Sequence, residues 1–158
     1  MKTLYTILNL LFISILTSCS THIEKNVIAS CPENGDCKFY IEHNVGLNIN
    51  SDNTYNLKID ENKSIVYYKY SKLKNSIYQN DSYSEEIIME FDKSWFDMDF
   101  QNYNPTEVIF ITTRNNNKNT QIPSKKDITL SYNKEEALMQ ININQLSKNQ
   151  IIKNITIR

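Results

Sequence analysis

Apolar and polar residues alternate along most of this chain in short runs, the period-two pattern of half-buried strands. Phe39 and Ile41 begin the pattern, and Val45, Leu47 and Ile49 continue it. Ser51-Asp52-Asn53 supplies turn residues suited to a hairpin, after which Tyr55, Leu57 and Ile59 resume the alternation. The next run covers residues 65–70, and residues 72–82 form a long polar connection where mobility is expected. Ile87, Met89 and Phe91 turn one face inward, with Glu86, Ile88, Glu90 and Asp92 on the other. Phe96, Met98 and Phe100 alternate with Asp97, Asp99 and Gln101 and predict a further strand. Pro105 interrupts the ladder, residues 108–112 resume as a β-branched strand, and the asparagines of residues 115–119 form a loop tip.

Ile128, Leu130 and Tyr132 open a final meander. Ala137-Leu138-Met139 has helical propensity, but helical spacing would put Asn142 and Gln145 on the face of Leu138 and Ile141, so a strand fits better. Ile151, Ile155 and Ile157 end the chain in a strand interrupted by Lys153. About eight to ten short strands without a long amphipathic run predict an all-β fold, an antiparallel sandwich or a partly open barrel.

The first residues follow a different pattern. Lys2 precedes an apolar stretch over residues 4–16, about 13 residues, which is signal-peptide length. A membrane-spanning helix needs about 20 apolar residues, and Thr17, Ser18, Ser20, Thr21 and His22 end the stretch too early. Leu16-Thr17-Ser18-Cys19 resembles the lipobox of bacterial lipoproteins. That resemblance implies a cleaved signal peptide over residues 1–18, a diacylglyceryl group on the Cys19 thiol and a further acyl chain, such as palmitate, on the new amino terminus. Two or more chains anchor stably where one does not. Residues 19–30 then form the lipidated cysteine and a tether, the 11 residues after Cys19 reaching at most roughly 36 Å. Residues 31–158 form one β domain.

Cys31 and Cys37 remain, joined through Pro32-Glu33-Asn34-Gly35-Asp36, in which Pro32 favours turn entry and Asn34-Gly35 tolerates positive φ. In an oxidising envelope compartment the pair reads as a disulfide. With His43 the two cysteines would give a metal at most three soft ligands, in a spacing that fits no zinc pattern.

Composition narrows the chemistry further. Formal net charge is −1 and the lysines are scattered among acids, so no nucleic-acid face is expected. Two glycines cannot build a phosphate-binding loop, and no cofactor or metal is expected. Asp52-Asn53-Thr54-Tyr55-Asn56 and Asp60-Glu61-Asn62 lack the spacing of a calcium loop. The two histidines are His22 and His43, so a Ser-His-Asp triad would rest on His43. Asp97 and Asp99, near Trp95, would sit roughly 7 Å apart on one strand face, a spacing open to glycosidase chemistry but equally that of a solvated edge strand. Tyr67, Tyr68, Tyr70 and Trp95 are the candidate binding face, because such side chains combine apolar area with a polar handle.

Taken with the lipobox, the Cys31 to Cys37 staple, the hairpin within residues 52–70 and Tyr83-Ser84-Glu85-Glu86-Ile87 resemble small lipoproteins of Bacteroidota, a group without assigned activity. The resemblance implies location in the bacterial cell envelope. A single acid within residues 20–25 favours the outer membrane, facing the periplasm. The expected function is a non-enzymatic domain that binds or scaffolds an envelope protein or glycan. The alternatives are a carboxylate hydrolase of envelope glycans and an enzyme inhibitor presenting residues 115–121.

Overall fold

The structure is a computed structural model that describes residues 29–73 and 82–158. The leader, Cys19 and most of the tether lie outside the described residues, as do residues 74–81 of the polar connection. Nine strands are described: β1 (Gly35–Ile49), β2 (Tyr55–Lys72), β3 (Tyr83–Asp92), β4 (Phe100–Tyr103), β5 (Glu107–Arg114), β6 (Asn117–Gln121), β7 (Ile128–Asn133), β8 (Leu138–Ile143) and β9 (Asn154–Ile157). They form two antiparallel sheets, one of order β1-β2-β3-β5-β6 and one of order β4-β7-β8-β9. The fold is all-β and is not a closed barrel.

Period two explains the central core. Val66, Tyr68 and Tyr70 of β2, Ile87, Met89 and Phe91 of β3, and Val108 and Phe110 of β5 face Ile128, Leu130, Met139, Ile141, Ile155 and Ile157 of the other sheet. At about 1.5–3 kcal/mol for each large side chain removed from water, this layer dominates the folding energy.

The opposite face of the five-stranded sheet is buried as well. Ile65, Ile88, Ile109 and Ile111 form a second core with Leu47, and Val45, Ile49, Tyr55 and Tyr67 pack against it. The cause lies in the β1–β2 hairpin. His43 pairs with Ser64, whereas Val45 pairs with Ile59, so Asn44 alone stands opposite residues 60–63. Asn44 has φ of 64°. This asymmetric bulge turns both strands through a corner. The distal half of the hairpin, residues 45–59, thus folds back as an arm over the outer face. Its tip reaches β6, where the Lys118 ammonium lies 5.4 Å from the centre of the Tyr55 ring. The short strands expected on either side of the corner are therefore parts of two long, bent ones.

Two buried glutamates on β3 tie the three layers together. Glu85, fully buried on the inner face, accepts hydrogen bonds from the backbone amides of Ile151 (2.8 Å) and Ile152 (2.7 Å) and from the Tyr83 hydroxyl (2.5 Å). Glu90, on the outer face, accepts from the Leu47 amide of the arm (2.7 Å) and the Thr106 hydroxyl (2.6 Å), and pairs with Lys63 at 3.2 Å. Burial opposes the Lys63 charge, but the bonds and charges of Asp92 and Glu90 outweigh it and hold the ammonium pKa above its ordinary value.

Local chemistry departs from expectation at two places and refines it at a third. Residues 93–97 form a short 3-10 helix (Lys93–Asp97), so Phe96 and Phe100 do not share a strand. β6 is an all-polar edge strand that the alternation does not reveal. It exists because Asn115 and Asn116, at φ of 49° and 66°, make a two-residue turn that sets Arg114 opposite Asn117. In the first staple the left-handed residue is Asn34, at φ of 60°, and not Gly35. Gly35 is required for space: a Cβ there would lie 1.9 Å from the Tyr70 ring.

The Cys31–Cys37 disulfide is formed, with Cα atoms 5.7 Å apart. Pairing with β9 extends to residues before it, since Ala29 bridges to Ile157 and the Ser30 amide donates to the Thr156 carbonyl at 2.7 Å.

Glu85→Ala would leave two backbone amides unpaired in the core, so it should lower stability by about 3 kcal/mol or more in urea unfolding. Glu135→Ala, at an exposed turn, should stay within about 0.5 kcal/mol. Reducing the disulfide should cost about 2–2.5 kcal/mol, the entropy of so short a loop, and leave the far-UV circular dichroism of the β fold unchanged.

Candidate functional site

The four aromatic residues expected to share a binding face are dispersed. Tyr68 and Tyr70 lie in the core between the sheets. The Tyr68 hydroxyl donates to the Ser30 carbonyl at 2.7 Å and lies 3.0 Å from Cys37 Sγ, which ties β2 to the disulfide. Burial, then the neighbouring Tyr70, pushes the Tyr68 phenol up to about 12. Tyr67 points the other way, under the arm, stacked on Tyr40 at 4.6 Å and donating to Glu86 at 3.2 Å. Burial and the Glu86 carboxylate raise its pKa well above the ordinary phenol value. Trp95 is buried in the short 3-10 helix. These side chains hold the fold together and offer no common surface; tyrosine fills either role, and its place in an alternating run does not tell which.

Trp95 nevertheless supports an aromatic corner that is partly exposed, Phe100 and Tyr132 half-buried and Tyr103 at the surface. Its ring meets Phe91 edge-on at 5.3 Å and Phe100 at 5.9 Å, and Tyr103 packs edge-on against both Trp95 and Phe100. Phe100 pairs with Tyr132 across β4 and β7, their rings 5.8 Å apart and tilted by 38°. Beside them lies an open depression of about 240 Å³ lined by Asp99, Phe100, Gln101, Tyr132 and Asn133. β4 is irregular here: the register shifts between Phe100 and Tyr103, and Asn102 has φ of 54°. Bulges of this kind at sheet edges re-aim side chains out of the ladder.

Asp97 and Asp99 do not form the strand-face pair the alternation suggested. Asp97 ends the 3-10 helix, and its carbonyl accepts from Lys134 Nζ at 3.0 Å. Asp99 lines the depression, where its Oδ1 accepts the Lys134 backbone amide, and Asp97 does not line it.

His43 has a serine partner. Its Nδ1 lies 2.8 Å from Ser64 Oγ, and its ring meets Phe96 edge-on at 5.3 Å. Ser64 is fully buried. The contact satisfies a polar group that would otherwise be stranded in the sheet. Partial burial, then the charge of Lys93, lowers the His43 pKa below its ordinary 6.5. No cluster of three or more metal-ligating side chains occurs among the described residues. No helix among them is long and apolar enough to cross a membrane.

Comparison with known protein families, curated proteins and solved structures finds no match to this chain.

A lowered histidine pKa makes the unfolded chain bind a proton that the folded chain refuses. The stabilisation is therefore complete above pH 6.5 and is lost as pH falls below it toward the folded value. Urea unfolding of the wild type should show this acid-side loss, and His43→Asn, which removes the titrating ring, should flatten the profile between about pH 7 and 5.

Proposed function

We propose that the protein is a lipid-anchored domain of the bacterial cell envelope that binds or scaffolds a partner without catalysing a reaction. Anchoring rests on the resemblance of Leu16-Thr17-Ser18-Cys19 to a lipobox, with palmitate-type acylation at Cys19. Ala29 already pairs with the last strand, so the link from Cys19 to the domain spans at most about 36 Å. Such a short link keeps the domain close to its membrane, by proposal the outer membrane on its periplasmic side.

The observation that carries the non-enzymatic part is the state of the buried polar side chains. Ser64, Glu85, Glu90 and Gln150 are each bonded to groups of the chain itself. A general acid, base or nucleophile needs an oxygen or nitrogen free to meet substrate. Here those groups are committed to partners within the chain, Glu85 and Glu90 across layers and Ser64 and Gln150 locally. The separation of Asp97 from the depression that Asp99 lines disfavours the two-carboxylate hydrolase.

Cys19→Ala should abolish incorporation of labelled fatty acid and release the protein from membranes, with the Cys31–Cys37 bridge and the melting temperature of the β domain unchanged. A variant that still pelleted with membranes would place the anchor elsewhere.

A further inference from the structure

We propose that the depression beside β4 holds one pyranose ring of an uncharged envelope glycan. This inference rests on the binding function proposed above and specifies its ligand.

A pyranose presents an apolar face of C–H groups and an edge of paired hydroxyls. Its recognition calls for an aromatic surface flanked by planar side chains that donate and accept. The depression has both, since Phe100 and Tyr132 supply rings and Asp99, Gln101 and Asn133 supply a carboxylate and two amides. Its volume of about 240 Å³ falls below the roughly 300–1,000 Å³ of sites that enclose drug-sized ligands, which suits a single ring of a longer chain.

The surroundings fix the geometry. Phe100 packs against buried Trp95, ring centres 5.9 Å apart, and Tyr132 is held opposite it by the β4–β7 ladder. Asp99 Oδ1 accepts the Lys134 amide and Asn133 Oδ1 accepts the Glu136 amide at 3.0 Å. Each of these two side chains is thus oriented by one bond while its second polar atom stays available. Gln101 sits in the irregular stretch of β4, exposed.

Charge selects among ligands. The one ionisable acid lining the depression is Asp99, and Lys134 directs its ammonium to the Asp97 carbonyl. A phosphate or sialic carboxylate would meet a negative group without a lining cation. Neutral and N-acetylated sugars meet no such penalty.

The test uses the full-length protein in detergent, titrated with neutral and N-acetylated oligosaccharides of two to six units. Trp95 is the only tryptophan and touches Phe100, so its emission reports occupancy. A saturable change with Kd between about 0.1 and 10 mM is expected for at least one sugar. Gln101→Ala and Tyr132→Ala should weaken it at least about tenfold, whereas Tyr40→Ala, on the opposite layer, should not. Gln101 is exposed, so its variant keeps the fold in place when Tyr132→Ala does not. The proposal is overturned if no sugar at about 10 mM changes the emission, or if both depression variants bind as well as wild type. Chromatographic detection of shortened oligosaccharides would uphold the site and overturn the non-enzymatic function.

Discussion

Strand β3 sends one glutamate into each of two opposite cores, and the layered arrangement depends on both. Glu85 receives the amides of Ile151 and Ile152 from the chain leading into β9, and Glu90 receives the Leu47 amide from the arm. A buried carboxylate costs several kcal/mol to desolvate, so each is tolerable only where donors converge on it. That requirement selects register. Sliding β3 by one residue would aim Glu85 at the arm and bring Ile88 into the central core, exchanging every partner at once. Hydrophobic burial drives the layers together, and the carboxylates determine which residues meet.

Much of this was legible in the sequence. The alternation located most strands and turned Ile87, Met89 and Phe91 inward, but Tyr68 and Tyr70, which it left open to a binding face, belong to the same core. It treated the other face as solvated, because an arm of the same chain is a long-range partner that local pattern does not announce. A signal was nevertheless present: Ile87-Ile88-Met89 and Val108-Ile109-Phe110-Ile111 are unbroken apolar runs, as strands buried on both faces require. The polar strand β6 left no comparable trace, since a two-asparagine turn, and not its own side chains, makes it a strand.

The candidate site was legible in composition but not in placement. Asp97 and Asp99 near Trp95 were open to a glycan site or a solvated edge, and of the two only Asp99 lines the depression. The partners that complete it, Tyr132 and Asn133, lie on β7, and only the β4–β7 pairing brings them across. The period-two pattern over residues 96–101 misled because a short 3-10 helix followed by an extended residue can spend its apolar side chains in the same order as a strand. Packing of Trp95 and Phe96 against Phe91 decided between the two.

Ala29 and Ser30 close onto β9, the last strand of the chain, and the bond between Ser30 Oγ and the Thr156 amide spans 126 positions. Closure between the two ends of a domain is among the slowest contacts to form, because the whole intervening chain must first be available. The domain is therefore incomplete until β9 is in place. The same pairing that seals the finished domain leaves a chain that has not yet formed β9 unsealed.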